Sequence, residues 1–178
     1  MAEPQASREL RGPLVHTDTV RPEWIDYNGH LSEPYYVLVF GDATTALMDR
    51  TGMDPAYRAA SGCSLYTVEA HVRYLAEIGP GAALTVRTRV LGRDAKRLRL
   101  WHELYTGPDG TGPLAATEEL MCLHVGPDGT LPFPDAVASA LDALTGDDPE
   151  PAHAGRAISP VGPAGSERSG KVVRRPPT

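Results

Sequence analysis

Apolar residues recur along this chain with two periods, and the change of period divides it. Tyr36, Phe40, Ala43 and Leu47 follow one another at three- and four-residue spacing, which predicts one long helix closed by Gly52. Ser32 or Glu33 can open that helix. Pro34 suits its first turn, where a missing N–H costs little. Gly41, inside the helix, suggests a close approach by a neighbouring strand. Ahead of the helix, from about residue 13, LVHTDTV reads as a short strand. Behind it the period falls to two. Leu84, Val86, Thr88 and Val90 alternate with Thr85, Arg87 and Arg89, and Leu98, Leu100, His102 and Leu104 alternate with Arg97, Arg99, Trp101 and Glu103.

Four strand-like stretches follow the helix: 64–78, 82–93, 97–106 and 114–126. Gly79-Pro80-Gly81, Arg93-Asp94-Ala95 and Gly107-Pro108-Asp109-Gly110 separate them as turns. A modest helix is predicted over 134–145. Alternation of this kind belongs to an antiparallel sheet with one face on a core. The fold class is therefore α+β, with a five-stranded antiparallel sheet wrapped around a long central helix. So small a sheet leaves its edges and one helix flank open, so a homodimer or dimer of dimers is expected.

With 178 residues the chain suits a single domain. We expect a flexible N-terminus over 1–12, the domain over 13–145, and a disordered tail over 146–178, where Asp, Pro, Gly, Ser and Arg dominate. No apolar run approaches the roughly 20 residues that span a bilayer, and MAEPQASRELRG lacks the apolar stretch of a secretory signal. A cytoplasmic protein with no membrane partner is expected. The two cysteines, Cys63 and Cys122, lie far apart and read as ordinary thiols. A net charge of −6 argues against nucleic acid as the main partner. His and acidic residues are too dispersed to predict a metal site.

The segment from Trp24 to Tyr36, WIDYNGHLSEPYY, carries the candidate chemistry. It places a carboxylate (Asp26), a permissive glycine (Gly29) and an imidazole (His30) just before a helix start. Backbone N–H groups in a helix's first turn have no intrahelical partners and can stabilise developing negative charge. Ser32 lacks the G-x-S-x-G surroundings of a serine nucleophile and reads as an N-cap. Eight of the 11 aromatic residues fall between Trp24 and Tyr74.

The Asp26-x-x-Gly29-His30 motif ahead of this helix and sheet resembles the hotdog-fold acyl-CoA thioesterases of the 4-hydroxybenzoyl-CoA thioesterase type, over about residues 13–145. Leu31 is a conservative change from the common form, and Ser32 stands where asparagine is usual. Asn28 and Ser32 can share the hydrogen bonding that asparagine would supply. The strings PEWIDYNGHLSEPYYVLVFGDATTALMDRTG, SLYTVEAHVRYL, GRDAKRLRLWHELY and LAATEELMCLHV look like the thioesterases of carnitine breakdown, which act on betainyl-CoA. Those often occur fused to a carnitine dehydrogenase, whose GxGxxG fingerprint is not in this sequence.

The resemblance implies a cofactor-independent hydrolase of acyl-CoA. Asp26 would be nucleophile or general base, and His30 would hold the thioester oxygen or orient Asp26, unless it is a turn histidine bonded to backbone. N–H groups of Ser32, Glu33 and Tyr35 are the candidate oxyanion donors. A trimethylammonium group would need aromatic faces. Trp24, Tyr27, Tyr36 and Tyr66, with Asn28 beside them, are candidates for binding it, and Tyr35 and Tyr74 complete the pool. Glu69, on one strand face with His71, is a candidate counter-charge, and Glu118 and Glu119 pose the same question. Arg93, Lys96, Arg97 and Arg99 at a hairpin either meet the phosphates of CoA or form a solvated basic turn. Two other readings stay open: an aromatic or medium-chain substrate, and a non-catalytic acyl-CoA-binding dimer.

Overall fold

The computed structural model describes residues 14–156. In chain order these form β1 (Leu14–Thr19), a 3-10 turn (Pro22–Trp24), α1 (Glu33–Arg50), α2 (Pro55–Ser61), β2 (Ser64–Tyr74), β3 (Ala83–Arg93), β4 (Arg97–Thr106), β5 (Leu114–Gly126), β6 (Gly129–Thr130) and α3 (Asp135–Leu144). The strands are antiparallel neighbours in the order β1-β3-β4-β5-β2, with the two-residue β6 added to β5. This is the expected curled sheet around a helix. The predicted first stretch stops at Tyr74, and a loop carries the chain on to β3.

Helix α1 buries Tyr36, Val39, Phe40, Ala43, Thr44 and Leu47 against the concave face of the sheet. Its N-terminal half packs with Val20, Trp24, Leu31, Ile78 and Leu84. Its C-terminal half meets Leu98, Leu100 and Leu120, and Val137 and Leu141 of α3 close that end. Ser32 occupies the N-cap position but makes no side-chain cap bond. Gly41 differs from expectation: a Cβ there would meet open space, so no strand of this protomer approaches it.

Helix α2 was not legible as apolar periodicity because it buries no residue fully. Local chemistry builds it instead. Asp54 accepts the Tyr57 N–H at 2.8 Å, Pro55 opens the first turn, and Gly62 ends it at φ 70°.

His102 sits at the centre of the concave face, fully buried and stacked on Phe40. The Thr44 hydroxyl donates to the Phe40 carbonyl, so His102 Nε2, 3.0 Å away, must donate to Thr44 Oγ1. Nδ1 then accepts from the Thr88 hydroxyl at 2.8 Å. Burial drives the His102 pKa down to about 3, and the ring stays neutral. It is a strut between α1, β3 and β4.

Candidate active site

Between the 3-10 turn and α1 the chain doubles back on itself. The Asp26 N–H donates to the His30 carbonyl at 2.9 Å, the Gly29 N–H to the Asp26 carbonyl at 3.0 Å, and Ile25 bridges Leu31. Gly29 takes φ 84°, a left-handed conformation that a side chain would strain, and this accounts for glycine in the motif. Leu31 N–H to Ile78 O (2.8 Å) and Ser32 N–H to Trp24 O (2.9 Å) tie the loop to the β2–β3 connection and the 3-10 turn.

Within this turn Asp26 Oδ1 accepts the Asn28 N–H at 2.8 Å and, more weakly, the His30 N–H at 3.4 Å; Oδ2 accepts from Asn28 Nδ2 at 3.3 Å. Partial burial raises the Asp26 pKa, but these hydrogen bonds and the nearby His30 outweigh it, leaving it below the ordinary carboxylate value. The group is anionic at neutral pH. Asn28 is thus a partner of Asp26 itself. His30 Nε2 lies 3.6 Å from Glu77 Oε2, so its ring faces a carboxylate other than Asp26.

The three candidate oxyanion donors are not equivalent. The Ser32 N–H is used by Trp24, and the Tyr35 N–H donates to Ser32 O at 3.0 Å. The Glu33 N–H opens α1 with no acceptor among the described residues.

The fold also divides the aromatic pool. Trp24 is buried, stacked on the Tyr35 ring at 5.3 Å, with the Arg21 guanidinium 4.6 Å from the Trp24 centroid. Tyr27 is 98% exposed at the tip of the turn. Tyr66 and Glu69 both face outward from β2, as register partners of Leu123 and Met121, and both are exposed. His71 shares that outer face. Tyr36 and Tyr74 are brought together, edge to face at 5.2 Å. The Tyr74 hydroxyl donates to Glu33 Oε1 at 3.3 Å and that of Tyr36 to Ala76 O at 3.3 Å. The Tyr36 phenol is pushed above its usual pKa by burial and by the charges of Glu77 and Asp26. A pair of rings, buried Tyr36 and half-exposed Tyr74, thus sits beside Asp26, Glu33 and Glu77. Both rings stand in the aromatic pool read from the sequence, but nothing there pairs them.

The basic cluster lies at the other end of the sheet. Arg93 pairs with Asp142 of α3, Arg97 Nε with Asp94 at 2.6 Å, and Arg99 with Glu119 at 2.7 Å and Glu150 at 2.5 Å. Three of the four cations are thus neutralised locally. Lys96 is exposed. β3 runs 11 residues from Ala83, near the Asp26 loop, to Arg93, or about 34 Å, so the cluster and Asp26 do not meet within one protomer.

The segment 146–156, placed with the tail, lies on the outer sheet face. Arg89 donates to the carbonyls of Asp148 and Pro149, and the Gly155 N–H donates to Glu119 Oε2 at 2.7 Å. The expected flexible N-terminus (1–12) and the rest of the tail (157–178) fall outside the described residues. The fold also gathers His16, Asp18 and Asp42, whose ligand atoms lie within 4.8 Å of one another; Arg21 already pairs with Asp18 at 3.7 Å. Among the described residues no helix is long and apolar enough to cross a membrane.

A curled antiparallel sheet wrapped around one long helix is the architecture of the hotdog class. The family comparison agrees: residues 20–141 match the Thioesterase-like superfamily, and the chain belongs to that family of thioester hydrolases. Among individual proteins, it is 45% identical to a betainyl-CoA thioesterase of Pseudomonas aeruginosa, over 89% of this chain and 92% of that one. It is 47% identical, over 88% of its length, to an L-carnitine dehydrogenase/betainyl-CoA thioesterase of Agrobacterium fabrum, of which it covers 32%. Among solved structures, a putative thioesterase from Pseudomonas putida KT2440 aligns with a TM-score of 0.72 at 36% identity, covering 84% of this chain and 98% of that one. A Staphylococcus aureus protein solved in complex with CoA aligns with a TM-score of 0.75 at 26% identity, covering 84% and 96%.

Proposed function

We propose that this chain hydrolyses betainyl-CoA to glycine betaine and CoA, as a cofactor-independent homodimer in carnitine breakdown. The observation that carries the acyl group is the Tyr36–Tyr74 pair beside Asp26, Glu33 and Glu77. The exposed Tyr74 ring, backed by buried Tyr36 and flanked by carboxylates, suits a quaternary ammonium and disfavours an anionic acyl group. The 45% identity to the Pseudomonas aeruginosa enzyme over nearly the whole of both chains points the same way.

In this reading the thioester carbonyl lies between Asp26 and the start of α1. Asp26 drives attack on the carbonyl carbon, directly or through a water. The Glu33 N–H receives the oxyanion, since the other two candidate donors are engaged. The C–S bond then breaks, the CoA thiolate takes a proton, and water supplies the second carboxylate oxygen of glycine betaine. Gly29 and Asn28 hold Asp26 in place and ionised.

The pocket edge is left open in a single protomer. α1 packs toward β1 and β3, and the exposed apolar side chains Val37 and Leu38 on α1 and Val68 and Tyr74 on β2 lie along the open edge. β2 is an edge strand, so a second copy pairing there would cover this surface.

Free-thiol release from betainyl-CoA, butyryl-CoA, a medium-chain acyl-CoA and 4-hydroxybenzoyl-CoA tests the proposal. We expect betainyl-CoA to be preferred about a hundredfold, roughly 2.7 kcal/mol in transition-state terms. Asp26→Asn should keep the fold and lose turnover by roughly a hundredfold or more. Preference for a neutral acyl group would discard the betainyl assignment, and normal turnover in Asp26→Asn would discard the role of Asp26.

A further inference from the structure

β5 carries a carboxylate on the wrong side of the sheet for a surface residue. Glu118 is the register partner of His102 on β4 and of Val72 on β2. Cross-strand partners share a face, and His102 faces α1, so Glu118 faces the concave interior. It is only 3% exposed. Among the described residues no cation and no hydrogen-bond donor meets its carboxylate. Its oxygens are not among the fully enclosed unpaired atoms, so the carboxylate keeps an opening beside it. An unpaired, largely buried carboxylate is costly to ionise unless a compensating charge arrives.

The surroundings of Glu118 indicate what that is. Its charge acts on the Tyr74 phenol, Tyr74 meets Tyr36 ring edge to ring face, and Tyr36 feels the charge of Asp26. Two aromatic rings thus separate the reactive carboxylate from a buried second one. In betainyl-CoA the quaternary nitrogen is one methylene away from the thioester carbonyl. A cation there must lie close to Asp26, which is where Tyr36 stands. Glu69, the counter-charge that the sequence suggested, is on the outer face and exposed.

Resting on the betainyl-CoA reading above, we propose that Glu118 is the counter-charge for the substrate's quaternary ammonium, which seats against Tyr74 backed by Tyr36. Burial pushes the Glu118 pKa up to about 7 in the free protein, so cation binding draws out its ionised form. The titratable groups around it supply no competing positive charge. His102 from β4 is neutral, and Tyr74 from β2, Tyr36 and Glu33 from α1 and Cys122 on β5 are neutral or acidic.

The test compares betainyl-CoA with its uncharged carbon isostere, 3,3-dimethylbutyryl-CoA, on the full chain and on Glu118→Gln. Wild type should favour the cation, and Glu118→Gln should lower the ratio of the two kcat/KM values by about tenfold or more, mainly through KM. Glu118→Asp should restore part of the ratio. A purely structural role moves both substrates together and leaves the ratio unchanged, which would overturn the assignment. A wild type with no preference for the cation would overturn it together with the betainyl reading; a preference that survives Glu118→Gln would overturn only the role of Glu118. Should Glu118→Gln not fold, the wild-type ratio measured from pH 8 to pH 5 decides. It should fall as pH drops through about 7, and a flat ratio would refute the proposal.

Discussion

Two neighbours on the concave face titrate in opposite directions, and the pH dependence of stability should carry both signatures. His102 has its folded pKa depressed from 6.5 to about 3, so the unfolded chain binds more protons between those values. Its contribution is complete above about pH 6.5 and is lost as pH falls toward 3. Glu118 has its folded pKa raised from 4.5 to about 7, so the folded chain binds the extra proton in that range. Its contribution is present below pH 4.5 and is lost as pH rises to 7. Between about pH 4.5 and 6.5 the two oppose each other. Glu118→Gln leaves His102 alone there, and unfolding free energy should gain a slope of roughly 1 kcal/mol per pH unit relative to wild type, rising with pH. Urea unfolding of both proteins at pH 5 and pH 6 measures it. Parallel profiles would mean that one of these environments is not as described.

Pattern and chemistry separate most clearly at the level of elements. α1 and the long strands announce themselves by period because each buries one face, whereas α2 buries none and forms on its cap, its proline and its terminal glycine. The segment 146–156 is composed like a linker, yet the outer face of β3, β4 and β5 offers it partners. Arg89 holds two of its carbonyls, Arg99 holds Glu150, and Pro151, Ala152 and His153 line a hollow with buried Trp101. A chain ending at residue 145 should therefore melt about 2–6 °C below one ending at 156, as expected for a loss of one to two kcal/mol in a domain of this size. kcat should be the same in both, because this face is turned away from Asp26. Equal melting temperatures would show that the contacts contribute nothing net.

For the molecule as a whole, the open side of α1 and β2 is the surface on which the proposed dimer would form. Val68 is 55% exposed on the edge strand, at the point where the pairing of β2 with β5 shifts register. Val68→Glu puts a charge into the proposed seam, where a buried unpaired carboxylate is unfavourable. Sedimentation should show wild type as a dimer or larger and Val68→Glu as a monomer. Thioesterase activity should fall with assembly, since Tyr74 lies at the same open edge. A monomeric wild type would remove the second copy from the proposal.

Periodicity determined the helix, the four long strands and their antiparallel arrangement, because burial of one face imposes a repeat that can be read along the chain. The Asp26 turn was legible for a similar reason: its hydrogen bonds run between residues no more than four apart, and Gly29 is there for its φ. Distance in sequence hid the rest. Glu118, Glu119 and Glu69 look alike on their strands, and only the register of β5 between β4 and β2 turns Glu118 inward and leaves Glu69 outside. The basic run at 93–99 was plain, but its partners Asp142, Glu119 and Glu150 lie 20 to 51 positions away, except for Asp94. Tyr36 and Tyr74 meet across 38 residues of chain. Local hydrogen bonding and repeat are written in the order of residues, whereas which face a charge ends on depends on strand pairing, and that exists only once the sheet has closed on its helix.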